Sequence, residues 1–241
     1  MKILKGFIAA AIILTQVMWS INGYANPSGG TVVVGTGSAT FDSSVPNTLT
    51  VNQTSAKVVI EWPTFSIAKG ETTQFVQPSS SSVALNRVTG GSPSDIYGTL
   101  SSNGMVFLIN QNGILFAPGS QVNVGGLIAS SLDITNNEFA MANYQSLVHN
   151  NPTANPGYYF IGANGFGSVV NNGTININAP GGFAALLGSS VENTGSIMTK
   201  VGSVALASGN AIAVNLDVNG SISAVVVPAG LDNNLWSTPQ H

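Results

Sequence analysis

Catalysis needs a nucleophile, a base or a metal held by several donors at once, and this chain of 241 residues carries few groups of that kind. It has no cysteine, two histidines, nine acidic and six basic residues. The histidines are His149, beside an Asn/Pro-rich stretch, and His241, the last residue, so a zinc-type centre lacks ligands. No Gly-x-Ser-x-Gly elbow occurs. Gly35-Thr36-Gly37-Ser38-Ala39-Thr40 lacks the third glycine and the following helix of a dinucleotide loop, and reads as a strand turn. None of Asp133, Glu138, Glu192 and Asp217 has another carboxylate within four positions; only Glu192 and Asp217, 25 apart, could be stacked by a coiled fold. The expectation is no catalytic residue, no metal ligand and no cofactor.

What the chain concentrates instead is turn chemistry. Asn110-Gln111-Asn112-Gly113-Ile114 sits at the centre of a stretch, Asn86 to Thr135, in which short apolar runs alternate with Asn-Gly and Gly-Gly pairs. Glycine takes positive φ freely, and asparagine tolerates it while bonding nearby backbone, so each pair favours a tight turn. Several in one line imply stacked, corner-turning strands. Asn86, Arg87, Gly90, Gly91, Gly98 and Gly104 belong to the same stretch. Arg87 is one of only two basic residues between Glu71 and His241, and Asp95 follows nearby. A local ion pair between them is the plainer reading, and contact with a partner the sharper one.

These turns need elements to hold them. From Val169 onward a repeat is visible: Asn171-Asn172-Gly173-Thr174-Ile175 recurs as Asn193-Thr194-Gly195-Ser196-Ile197, and Gly182-Phe183-Ala184-Ala185-Leu186 as Gly202-Ser203-Val204-Ala205-Leu206. A looser copy is Asn219-Gly220-Ser221-Ile222. Units of about twenty residues with strands too short to bury a core alone must stack, placing Ile175 against Ile197 and Leu186 against Leu206. The Leu-x-x-Leu-x-Leu pattern of leucine-rich repeats is missing. The fold class is therefore all-β, a parallel β-helix.

A solenoid end exposes strand edges and needs covering. Residues 31–83 are expected to form an N-terminal β cap with Trp62, Phe65 and Phe75 as its core, and Lys57 to Trp62 reads as a half-buried strand. Residues 84–135 form the core motif region. Asn136 to Val148 has weak helical spacing at Phe139, Ala142 and Leu147, broken by Pro152 and Pro156, so 136–168 is expected to be a small excursion off the solenoid. Coils follow over 169–230, and 231–241 is a tail in which Trp236 could lie over the last coil.

Charged residues are only 6% of the chain, against about 25% in an ordinary soluble domain, yet no stretch after the N-terminus is apolar for the roughly 18 residues of a spanning helix. Residues 1–25 read as an export signal, with Lys2 and Lys5, an apolar run over Phe7 to Leu14, and Gly23-Tyr24-Ala25 before a cleavage between Ala25 and Asn26. Its removal leaves four basic against nine acidic residues, a balance that favours neither nucleic acid nor an anionic membrane. Absence of cysteine suits a chain that crosses the disulfide-forming periplasm unfolded.

Two stretches, VVIEWPTFSIAKGETTQFVQPSSSSVALNRVTG and Asn86 to Thr135, resemble the filamentous haemagglutinin N-terminal domain, the secretion domain of two-partner secretion exoproteins of Gram-negative bacteria. The resemblance implies a right-handed β-helix and recognition by an outer-membrane transporter with periplasmic receptor domains and a β-barrel. It also implies nucleation of folding at the cell surface and a secreted, monomeric product. It gives Asn110 to Ile114 a role in secretion, by recognition or by directing folding. Gln111 stands where the family usually has proline, which frees φ and adds an N–H donor. Family passengers commonly bind host cells or glycans, so an adhesin is the alternative, and a β-helix polysaccharide lyase a more distant one.

Overall fold

The computed structural model describes residues 26–33, 35–141, 157–162, 167–216 and 222–226. The expected export signal with Ala25, both histidines, Asp217 and the tail with Trp236 lie outside them. The described chain opens with two strands that run against their neighbours: β1 (Thr31–Val32) and β2 (Ala39–Asp42). The first coil follows as β3 (Thr48–Gln53) and β4 (Lys57–Trp62), the second as β5 (Thr72–Val76) and β6 (Val83–Val88). The third is β7 (Ser94–Ile96), β8 (Thr99–Ser102) and β9 (Met105–Ile109), and the fourth β10 (Ile114–Phe116), β11 (Gln121–Val124) and β12 (Gly126–Ser130). The chain then leaves the solenoid through α1 (Asn136–Met141) and β13 (Gly157–Ile161). It returns for a fifth coil, β14 (Val169–Asn171), β15 (Thr174–Ile177) and β16 (Phe183–Gly188), and a sixth, β17 (Val191–Asn193), β18 (Ser196–Thr199) and β19 (Ser203–Ser208). Two more strands, β20 (Ala211–Leu216) and β21 (Ile222–Val226), end the described chain.

Each coil pairs in parallel with the next, forming three sheets that enclose one core. Ile175 stands on Ile197 and Leu186 on Leu206, as the repeat requires. A single inward column runs Ile60, Asn86, Leu108, Ala129, Leu186, Leu206 through the six described coils. At one corner Gly104, Gly125, Gly182 and Gly202 lie in line, and a Cβ on any of the last three would run into the carbonyl of the glycine one coil earlier. Strands stacked at about 4.8 Å leave no room there for a side chain.

Three expectations change. Parallel stacking starts at β3 with β5, so the cap is only β1 on β4 and β2 on β3, both antiparallel. Trp62, Phe65 and Phe75 belong to the continuous core rather than to a separate one. Of the looser copy Asn219 to Ile222, only Ile222 lies within the described residues, and it opens β21, which lies antiparallel to β20 rather than on a further coil; β20 in turn lies antiparallel to β13, making a separate three-stranded sheet.

A fourth expectation, that Lys57 to Trp62 is a half-buried strand, changes as well. Val58, Val59 and Ile60 are all fully buried, so β4 is covered on both faces. Behind the solenoid a second core joins outward-facing Val59, Leu85, Phe107, Ile128 and Leu187 to Phe139, Tyr158, Phe160, Ile212 and Val214 of the covering layer. Phe107 meets Tyr158 edge-on at 5.2 Å between centroids, and burial pushes the Tyr158 phenol up to about 12. Thr135 and Glu138 close a capping box at the start of α1, since the Glu138 carboxylate accepts from the Thr135 N–H while Thr135 Oγ1 accepts from the Glu138 N–H. Lys57 Nζ donates to the Phe139 and Ala140 carbonyls at 2.9 and 3.2 Å, and burial lowers its pKa.

The last coil differs from the others. Leu206 is 50% exposed and Val204 44%, whereas their stacked equivalents Leu186 and Ala184 are fully buried. Leu186→Ala is therefore expected to cost about 3 kcal/mol and Leu206→Ala under about 1, because a half-solvated side chain leaves little cavity. Urea denaturation of the two variants measures the difference; equal costs would mean that something covers the sixth coil in solution.

Candidate functional site

The turn at Asn110 is built from side-chain hydrogen bonds. Asn110 is fully buried, and its Nδ2 donates to the Ser92 carbonyl (3.0 Å) and Ser94 Oγ (2.9 Å) of the preceding coil. Its Oδ1 accepts from the Asn112 backbone N–H (2.9 Å) and from Asn112 Nδ2 (3.1 Å). Asn112 Nδ2 also donates to the Gly90 carbonyl at 2.8 Å. The Gly113 N–H returns to the Asn110 carbonyl at 3.0 Å and closes a four-residue turn. Gly113 has φ of 109°, a conformation that favours glycine. One side chain thus satisfies two coils at once.

Gln111 occupies the second position of that turn, and neither it nor Asn112 has positive φ, which makes it a type I turn. Proline is favoured at this position. Gln111→Pro is expected to raise stability by about 0.4–1 kcal/mol through the unfolded chain, read as a higher urea midpoint at unchanged slope. A lower midpoint would mean that the Gln111 N–H is needed.

Asn86 is the one polar residue in the inward column and is fully buried. Its Oδ1 accepts from Trp62 Nε1 at 3.0 Å, and its Nδ2 donates to the Ala84 and Phe107 carbonyls at 3.2 and 3.4 Å. Arg87, next in sequence, points outward beside Glu61 of the coil before. Its Nε donates to Asp133 Oδ1 at 3.0 Å, its Nη1 to Asn136 Oδ1 at 2.8 Å and its Nη2 to the Ile134 carbonyl. Nη1 lies 3.7 Å from Glu61. The expected Arg87–Asp95 pair is therefore not formed: β6 and β7 lie in different sheets, and the guanidinium is taken by Asp133 and Glu61; Arg87 anchors the segment by which the chain leaves the solenoid.

A surface groove of about 400 Å³ is lined by Arg87, Thr89, Gly90, Gly91, Gln111, Asn112 and Asp133, among others. Two segments twenty residues apart in sequence converge on it. Gln111, Asn112, Thr89 and Gly91 are exposed. Gly98 and Gly104 lie elsewhere, at coil corners where a Cβ would strike the backbone or side chains of the preceding coil. Ile114 is core, stacked between Ser94 and Val169. Ser92, Ser94, Asp133 and Asn136 were missed by the sequence reading; the serines had a signal, since a Gly-Gly-Ser-Pro-Ser stretch stands one coil length before Asn110. Asn26 is tied to the second coil, its Oδ1 accepting from Thr73 Oγ1 at 2.9 Å. Among the described residues no group of three or more His, Cys, Asp or Glu comes together to hold a metal.

The crystal structure of the HMW1 secretion domain from Haemophilus influenzae superposes with a TM-score of 0.68 at 31% identity, over 78% of this chain and 46% of that one. In sequence the chain is 38% identical over 129 residues to a heme/hemopexin-binding protein of Haemophilus influenzae strain Rd, 53% of this chain and 14% of that protein. A second Haemophilus influenzae protein of the same name is 39% identical over 98 residues, 41% of this chain and 11% of its own length. The chain thus matches only a small part of these relatives. The family model described as the TPS secretion domain covers residues 22–235. A capped parallel solenoid with an asparagine-built turn, matched over nearly its whole length, places this chain in the two-partner secretion domain family, whose members are recognised by an outer-membrane transporter and carry exoproteins across the outer membrane.

Proposed function

We propose that Asn86 and Asn110 direct the folding of this secretion domain, while the exposed Gln111, Asn112, Thr89 and Gly91 offer the contact that its transporter recognises. The single observation behind this division is burial: Asn86 and Asn110 are fully enclosed, and Gln111 and Asn112 open onto the groove. The partner is an outer-membrane protein with periplasmic receptor domains and a β-barrel, and the product is a monomer at the cell surface or in the medium, without enzymatic activity of its own. Cleavage between Ala25 and Asn26 leaves a mature chain whose first residue is already held by Thr73. Coils then add in sequence, since each needs only its neighbour to bury its inward side chains.

Co-expression with and without an outer-membrane transporter of the two-partner class, with the protein assayed in the medium, tests the proposal. Secretion that is equal without the transporter would overturn it. Asn110→Ala is expected to cost about 2 kcal/mol by orphaning the Ser92 carbonyl and the Asn112 N–H, and to reduce secretion in step with stability. Gln111→Glu is expected to leave stability unchanged and still lower secretion. Wild-type secretion of that variant would remove the recognition role and leave the folding role standing.

A further inference from the structure

The sequence holds six Asn-Gly pairs, at Asn22, Asn103, Asn112, Asn164, Asn172 and Asn219. In such a pair the glycine nitrogen attacks the asparagine Cγ with no side chain in its way. The Cγ–Nδ2 bond breaks, ammonia leaves, and a five-membered succinimide forms. Water then opens the ring to aspartate or, through the other carbonyl, to isoaspartate. The reaction needs a glycine nitrogen free to lose its proton and a side-chain amide free to swing onto it.

The described pairs meet neither condition. The Gly104 N–H donates to Ser102 Oγ at 3.0 Å, the Gly113 N–H to the Asn110 carbonyl at 3.0 Å, and the Gly173 N–H to Asn171 Oδ1 at 3.2 Å. Their amides are also fixed. Asn103 exchanges two hydrogen bonds of 2.7 Å with the Gln77 backbone, Asn112 donates to Gly90, and Asn172 Oδ1 accepts from Thr194 Oγ1 at 2.6 Å. The glycine bonds are local, but the asparagine amides are held by partners 22 to 26 residues away on neighbouring coils, bonds that exist only when the coils are stacked.

We propose that Asn103, Asn112 and Asn172 are latent deamidation sites, shut by coil folding and open in the unfolded chain, so that time spent unfolded before export erodes the ability to fold. The second clause rests on the secretion reading; the chemistry does not. At Asn112 the damage is specific. A carboxylate there would face Asn110 Oδ1 and the Gly90 carbonyl with no side-chain N–H to give to either, and an isoaspartyl link would lengthen a turn whose geometry two coils share.

The full-length protein, incubated in parallel in native buffer and in urea at the same mildly alkaline pH, then digested and mapped by mass spectrometry, tests this. The mass gain of amide-to-acid exchange at Asn103, Asn112 and Asn172 is expected to accumulate at least roughly tenfold more slowly in the folded protein, because the reactive state requires local opening. Refolding yield after ageing in urea is expected to fall as Asn112 modification rises, and to be preserved in mildly acidic urea, where the glycine nitrogen is not activated. Equal rates in the two buffers, no modification in urea, or undiminished refolding of modified chain would each overturn the proposal. None of these readouts depends on a transporter, so failure here leaves the secretion role untouched.

Discussion

Trp62→Ala is expected to lower stability by about 5 kcal/mol, which would bring a domain of ordinary stability close to unfolding. The indole is 1% exposed and closes the end of the solenoid core, edge-on to Phe41 at 5.3 Å and to Phe65 at 5.7 Å. Gly30 lies directly against its six-membered ring, so the N-terminal segment seats on it too. Its removal opens a cavity and also strips Asn86 Oδ1 of its donor, an oxygen buried in the middle of the inward column. The two losses add, because an orphaned buried acceptor costs a further ~1–3 kcal/mol. Trp62→Phe separates them: the ring is largely kept, the N–H is lost, and about 1–2 kcal/mol is expected. Urea denaturation followed by far-ultraviolet circular dichroism measures both. A Trp62→Ala protein within about 1 kcal/mol of wild type would mean that the first coil frays independently of the rest.

Arg87→Ala is expected to cost about 3 kcal/mol, since breaking one half of a largely buried ion pair strands the other charge. Arg87 and Asp133 side chains are 12% and 20% exposed, and the guanidinium also serves Asn136 and the Ile134 carbonyl. Glu61, 43% exposed, keeps its own access to water and contributes little. The loss should be local before it is global. Amide exchange over Asp133 to Met141 is expected to accelerate, while that of β15 and β16, two strands of the fifth coil, follows global stability. A double-mutant cycle with Asp133→Asn gives the coupling, expected at about 1–3 kcal/mol for groups in direct contact. No coupling would show that the covering layer is held by its apolar contacts alone.

The helix start at Thr135 carries its own signal in the sequence. Thr135-Asn136-Asn137-Glu138 has the spacing of a capping box, and the structure forms it. The covering layer had a signal as well: β9 and β12 read Met-Val-Phe-Leu-Ile and Gly-Leu-Ile-Ala-Ser, without the polar alternation of a strand that faces water on one side. What those runs could not convey is which segment lies over them. β13 pairs with β20 across more than fifty residues of chain, Gly157 opposite Asn215, and the outward faces carry no repeat that would fix the match. Arg87 had the same ambiguity, with Asp95 near in sequence and Asp133 near in space.

By itself the sequence determined the stacking of Ile175 on Ile197 and Leu186 on Leu206, the parallel solenoid, and a tight turn at Asn110 to Gly113, because coils of nearly equal length carry their register in their own spacing and Asn-Gly pairs mark their corners. The tertiary structure alone decided where the stack begins, where it gives way to antiparallel strands, which carboxylate Arg87 holds, and that Asn86 to Gly91 meets Gln111 and Asn112 in one groove. Those outcomes depend on which distant surfaces bury each other, and a local period is silent about that.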